Sequence, residues 1–189
     1  MKTLAMRWNG LTPLLMNSAA GVNPTHPLTL AAKKLTSKRT KTEEDQIELM
    51  RLKWLLAIYH DPQIGPFIPA ENVEATIREA AKKTKRGKDT KAGIFVSPDR
   101  IPLIYDGPRD TDNLYADERF RDVRDGVIGQ ARVNISRPRF NHWRIDFNLE
   151  YDPQVFNPED LIAIMDTAGR YIGLCDYRPR YGRFESMVI

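Results

Sequence analysis

The sequence predicts an α+β protein, and two observations carry that prediction. Two stretches near the C-terminal third alternate apolar and polar residues with strict period two, the mark of half-buried strands. Apolar stripes at helical spacing lie before and after them. The resulting order is strand, helices, insertion, strand, strand, helix, strand. It is the β-α-β-β-α-β order of a modified ferredoxin-like (RRM-like) antiparallel sheet with helices on one face and an inserted subdomain. The 189 residues are read as a single domain, 1–189, with 93–126 as an inserted subdomain or mobile loop.

The elements follow in chain order. Lys2 to Trp8 sets Leu4, Met6 and Trp8 on one side of a first strand. His26 to Leu35 reads as a short helix. Thr42 to Tyr59 is a longer one: Thr42 can cap, Asp45 stands three residues on, and Ile47, Met50, Trp54, Leu55 and Ile58 form one face. Pro66 and Pro69 precede a third helix, Glu71 to Lys83, whose stripe is Val73, Ile77 and Ala80. Short strands at Ile94 to Val96 and Ile101 to Tyr105 flank a turn, and Asp106 to Asp125 is charged and irregular.

Ala131, Val133 and Ile135 alternate with Arg132, Asn134 and Ser136. Trp143, Ile145, Phe147, Leu149 and Tyr151 alternate with Arg144, Asp146, Asn148 and Glu150. With the turn-prone Arg137 to His142 between them, the expectation is an antiparallel hairpin. Asn157-Pro158-Glu159-Asp160 then opens a helix with a capping residue, a proline at the first position and acids facing the dipole. Its stripe is Leu161, Met165, Ala168 and Ile172. A loop rich in Gly and Arg runs from Gly173 to Gly182, and Arg183 to Ile189 is the last strand.

Composition narrows the function. There are 29 Lys and Arg against 25 Asp and Glu, a net charge of +4. The single cysteine, Cys175, excludes an internal disulfide framework and a cysteine-based zinc site, and favours a reducing cytosol. His26, His60 and His142 stand in no ligand spacing. No stretch has the roughly twenty apolar residues of a membrane span. The first twenty residues imitate a signal peptide, but Arg7, Asn9, Gly10 and Pro13 interrupt the apolar run. The expectation is an intact cytoplasmic chain with no cofactor, no metal and no membrane partner. Phosphate-binding and dinucleotide glycine motifs are missing from the sequence.

Three basic sets point to a polyanion. Lys82 to Lys91 holds six basic residues and one acid, or +5, and offers Lys83, Lys85, Arg86 and Lys88 as a flexible phosphate clamp. Arg132, Arg137, Arg139 and Arg144 surround the expected hairpin, with Trp143 beside them for stacking on a base. The strands carry no outward aromatics at central positions, unlike an ordinary RNA-recognition platform. The third set is Ala168 to Glu185, where Arg178, Arg180 and Arg183 cluster around Gly173 and Gly182, and glycine lets a backbone approach a ligand closely. Each set also has a plain alternative: a solvated loop, cross-strand ion pairs, or a helix C-cap with surface arginines.

The third set resembles the glycine-rich loop of the RAMP superfamily, the RNA-binding proteins of CRISPR effector complexes. Gly173, Arg178, Arg180, Gly182, Arg183 and Phe184 occupy its places. Phe67 to Arg78 is similar to that superfamily's Ile-Pro-Gly-Ser-Ser-Leu-Lys-Gly helix start, with Ala70 in place of the glycine and Glu71-Asn72 in place of the serines. The nearest flavour is the backbone subunit that coats guide RNA, and the chain also resembles uncharacterised bacteriophage and prophage proteins. The resemblance implies a non-catalytic binder of single-stranded RNA, or less readily DNA, whose copies stack along the strand as a homo-oligomer or within a multi-subunit complex. Two alternatives remain from the residues. One is a phage assembly factor with a protein partner. The other is a metal-dependent ribonuclease using Asp106, Asp110, Asp112, Asp117, Asp122 and Asp125, although Arg109, Arg119, Arg121 and Arg124 interleave them.

Overall fold

The computed structural model describes residues 1–128 and 131–189, and the side chains outside 125–134. The chain runs through β1 (Lys2–Gly10), β2 (Leu14–Leu15), α1 (Pro27–Thr36) and α2 (Glu43–Ala57), then β3 (His60–Asp61), β4 (Gly65–Pro69), α3 (Ala70–Lys82) and α4 (Gly87–Gly93). It continues with β5 (Ile94–Ser97), β6 (Arg100–Pro102), α5 (Thr111–Ala116), β7 (Arg121–Ile128), β8 (Ala131–Phe140), β9 (Arg144–Tyr151), α6 (Pro158–Thr167) and β10 (Phe184–Val188). The protein is therefore α+β, with antiparallel sheets. No helix among the described residues is long and apolar enough to cross a membrane.

Four strands form the main sheet, in the order β10-β1-β9-β5 with every neighbour antiparallel. The alternation puts Met6, Trp8, Ile145, Phe147 and Leu149 into a core shared with Val73 and Ile77 of α3 and Leu161 and Met165 of α6. Trp8 stacks on Phe184 at 3.8 Å and meets Phe147 edge-on at 5.1 Å. α3 and α6 touch each other and the sheet. The opposite register positions carry Arg7 and Asp146, paired at 2.6 Å, with Asn9, Asn148, Glu150 and Glu185 around them. That second face is mixed in charge.

The caps read from the sequence form. Thr42 and Asp45 make a reciprocal capping box, and the Asn157 side chain accepts the Asp160 N–H.

Four expectations need correction. The two alternating stretches do not form a hairpin together. β8 pairs with β7 and β2, while β9 enters the centre of the main sheet between β1 and β5. The chain switches sheets because Phe140 and Trp143, three residues apart, are both buried in different places. Phe140 packs on Tyr105 and Phe120, and Trp143 packs on Gly10 and Phe184. The end of the stretch read as irregular, from Arg121 to Asp125, belongs to β7, the partner strand that β8 finds. The basic stretch after α3 is a turn only over 83–86, since Gly87–Gly93 is helical. Ile94–Ser97, inside the stretch read as an insertion, is an edge strand of the main sheet, and Arg100–Pro102 pairs with β4.

Candidate nucleic-acid interface

The glycine-rich loop is built by close backbone approach. Gly173 and Gly182 have φ of +79° and +72°, and a β-carbon on Gly182 would lie 2.0 Å from the Leu174 carbonyl oxygen. The Leu174 N–H donates to the Gly182 carbonyl at 2.8 Å, closing the loop at its base. The loop then docks on the link between β1 and β2. Gly182 N–H donates to Pro13 O (2.8 Å), Asp176 N–H to Leu15 O (3.0 Å) and Leu11 N–H to Arg183 O (2.8 Å). Arg183 N–H donates to Thr12 Oγ1 at 2.9 Å.

This docking opens a cleft of about 720 Å³, lined by Thr12, Pro13, Arg139, Arg170, Tyr171, Pro179, Arg180, Tyr181 and Arg183. Four guanidinium groups and two phenols face it, and among the described residues no carboxylate lines it. Arg170 keeps Asp166 at 3.0 Å, and Arg139 keeps Asn141 at 2.8 Å with Asp122 at 3.9 Å. Neither Arg180 nor Arg183 forms an ion pair among the described residues. Arg124 braces the cleft from behind. It pairs with buried Asp122, bonds to the Tyr181 hydroxyl and lies over the Tyr181 and Tyr177 rings at 4.7 and 5.3 Å. The Arg124 hydrogen bond holds the Tyr181 phenol below its ordinary pKa. At the other end, Lys83 Nζ stands 5.4 Å from the ring of Tyr171.

The structure thus brings together Arg139, Arg180, Arg183 and, through Tyr171, Lys83. Other expected contacts lie elsewhere. Trp143 is 4% exposed, donates its indole N–H to Thr12 O and belongs to the core, so it cannot stack on a base. Arg86 is a structural staple: it bonds to Asp160 at 2.6 Å and to Val155 O, and covers the Phe156 ring at 4.3 Å. Arg137 is paired with Asp176. Arg144 stands on the mixed face of the main sheet, 3.7 Å from Asp146. Arg178 lines a separate pocket of about 190 Å³ with Tyr59, Asn72 and Asp176. Lys85 and Lys88 are exposed and do not line the cleft. Gly182 shapes the loop. The Arg132 side chain lies outside the described residues.

Sequence reasoning did not single out Arg170, Tyr171, Tyr181 or the Thr12-Pro13 link. The first three stand in the glycine-rich stretch itself, within three residues of its glycines. Thr12 and Pro13 gave no local signal, because only the loop docking brings them in.

Four of the six middle acids are used for caps and ion pairs, and the Asp125 side chain lies outside the described residues. Asp110 caps α5, Asp112 meets Arg51 at 3.0 Å, Asp117 meets Arg119 at 2.7 Å and Asp122 holds Arg124 at 2.8 Å. Among the described residues, no three His, Cys, Asp or Glu gather in a way that could hold a metal ion. No protein-family model matches the chain, and no curated protein is similar to it.

Proposed function

We propose that this protein binds single-stranded nucleic acid, RNA in preference to DNA, without cutting it. The cleft at the glycine-rich loop carries the reading: four arginines and two tyrosines converge, with no lining carboxylate among the described residues. Guanidinium groups grip phosphates bidentately, and phenol rings stack on any base, so the combination suits a strand of tolerant sequence. The mixed face of the main sheet is a poorer platform, because Asp146, Glu150 and Glu185 would repel a phosphate backbone.

The fold in this proposal is a ferredoxin-like variant of the RAMP kind. In its favour, numbering the main-sheet strands in chain order yields 4-1-3-2, with α3 and α6 in the two crossovers. The two stretches that carry the resemblance also meet in space. Thr76 Oγ1 donates to Gly173 O at 3.3 Å, and Asn72 Nδ2 lies 3.8 Å from Cys175 Sγ. The preference for RNA and the stacking of copies along a strand rest on the resemblance, and the cytoplasmic setting rests on the single cysteine.

The test is a gel shift with single-stranded RNA, single-stranded DNA and duplex DNA at about 0.15 M salt, where weak surface attraction is already screened. Laddered shifts of the single strands, RNA first, are expected. No shift with any of the three overturns the reading and leaves the arginines to an acidic protein partner.

A further inference from the structure

The pocket that Arg178 lines, about 190 Å³, lies below the roughly 300 Å³ at which drug-sized sites begin, so its occupant is small. Hydrogen-bonding side chains dominate its wall. Asn17 and Asn72 bring carboxamides, Tyr59 a phenol, Asp176 a carboxylate and Arg178 a guanidinium. Donors and acceptors of both kinds therefore converge on one small space. Arg137 neutralises Asp176, so the carboxylate does not repel a strand, yet it keeps lone pairs for further donors. Arg178 donates only a long bond, 3.5 Å, to Gly173 O. Asn72 Nδ2 meets the Cys175 sulfur at 3.8 Å, a weak acceptor that a ligand oxygen or ring nitrogen can replace. Cys175 and Tyr177, on either side of Asp176, have φ of +63° and +57°. Side-chain-bearing residues rarely take that conformation, and it collects at ligand sites.

We infer that this pocket takes one unpaired guanine base of the strand held in the arginine cleft, an inference that rests on the proposed function. Bases of a single strand are read on their exposed edges, and guanine presents the acceptor pair O6 and N7 together with a 2-amino donor. A guanidinium on that acceptor pair is the commonest specific contact to a base, and a carboxylate accepts from an amino group. Arg178 and Asp176 fill these two roles, and the carboxamides serve the remaining polar atoms. Adenine sets an amino group where guanine has O6, so a donor would face the guanidinium, and the pyrimidines have no N7. Arg178 lines the pocket and Pro179, the next residue, lines the arginine cleft. The two sites share the glycine-rich loop, so a strand in the cleft reaches the pocket with an adjacent nucleotide. The cleft stays tolerant of sequence, and discrimination falls on one position.

Fluorescence anisotropy of a short oligouridine, against the same strand carrying one guanosine, tests the pocket. The guanosine should raise affinity about tenfold, the worth of one specific base contact. Arg178→Ala should bring the guanosine strand down to the oligouridine and leave the oligouridine itself nearly unchanged. Arg178 is exposed, so Tm should stay close to wild type and the loss is not unfolding. Asn72→Ala should also lower the ratio of the two affinities. The Arg180→Ala/Arg183→Ala pair should weaken both strands and keep their ratio. If wild type binds the two strands equally, or Arg178→Ala weakens both alike, the guanine pocket is refuted and the proposed function stands. If neither strand binds, calorimetric titration with guanosine, which carries no phosphate, decides. Guanosine binding that Arg178→Ala abolishes keeps the guanine pocket without the strand, and no binding overturns both.

Discussion

Gly182 and Leu174 meet backbone to backbone: the Gly182 carbonyl accepts the Leu174 N–H at 2.8 Å, with no room for a β-carbon between them. With φ at +72° besides, Gly182→Ala imposes both a clash and a left-handed conformation on a side-chain-bearing residue. The expected cost is about 1–3 kcal/mol. At roughly 2–4 °C per kcal/mol for a chain of this size, thermal denaturation should show a drop of several degrees. Nucleic-acid affinity should fall with it, because Arg180 and Arg183 ride on the loop. An unaltered Tm would mean that the loop is not sealed at its base.

Arg86→Ala separates a structural arginine from a binding one. Arg86 ties the start of α4 to Asp160 of α6, to Val155 O and to the face of Phe156. Its removal leaves a part-buried carboxylate and a carbonyl without their donor, at a cost of about 1–3 kcal/mol. The expected result is a lower urea midpoint with the RNA affinity of the remaining folded protein unchanged. Loss of affinity at constant stability would return Arg86 to the binding surface.

Much of this architecture is legible in the sequence because it is local. Thr42 with Asp45, Asn157 before Pro158, and the Leu4, Met6, Trp8 alternation each report on a few neighbouring residues, and each forms as read. Strand partners are not local. Period two says which face of Ala131–Phe140 is buried but not which strand lies beside it. In β7 the charges around Val123, namely Arg121, Asp122 and Arg124, hide a strand whose Asp122 is buried by ion pairing. The same limit applies to the site. Arg180 and Arg183 stand out in their own loop, whereas Arg139 joins them only because Leu15 pairs with it across the β2–β8 ladder. Trp143 beside arginines looks like a stacking ring, and nothing nearby in sequence reveals that Gly10 leaves the space that takes it.

The Arg7–Asp146 pair across β1 and β9 makes stability depend on acid. The Arg7 hydrogen bond is the main cause that holds the Asp146 carboxyl below its ordinary value. A carboxyl depressed in the folded state stabilises fully above its unfolded pKa, about 3.9, and the contribution is lost as pH falls through the lower folded value. Asp146→Asn should therefore lower Tm at neutral pH, and the gap to wild type should close as pH drops below about 4. A gap that stays constant down to strong acid would assign the loss to packing instead of charge.

Cys175 should be a slow thiol. Burial pushes it up to about 12, and the neighbouring Asn72 amide and Arg178 only partly offset this. At pH ~8 about one thiol in ten thousand is then ionised, against a sizeable fraction for an ordinary cysteine near 8.5. Labelling with a chromogenic disulfide at that pH should run at least about a hundredfold slower in the native protein than in denaturant. Comparable rates in the two states would show that the loop opens readily around Cys175.

Salt dependence measures how many phosphates the arginine cleft engages. Releasing counterions from a single strand makes log affinity fall against log salt with a slope of about −0.7 per neutralised phosphate. Arg139, Arg170, Arg180 and Arg183 line the cleft, and Lys83 stands against Tyr171 at its rim. Four to six phosphates correspond to a slope of about −3 to −4. Arg180 and Arg183 form no ion pair among the described residues, so both are available to a strand. Changing the two to alanine should flatten the slope by about 1.4. Both are exposed, so Tm should stay close to wild type. Changing Lys85 and Lys88 instead should leave the slope where it was, since neither lines the cleft. If the lysine pair flattens the slope and the arginine pair does not, the strand runs over the α4 side of the molecule and not through the glycine-rich loop.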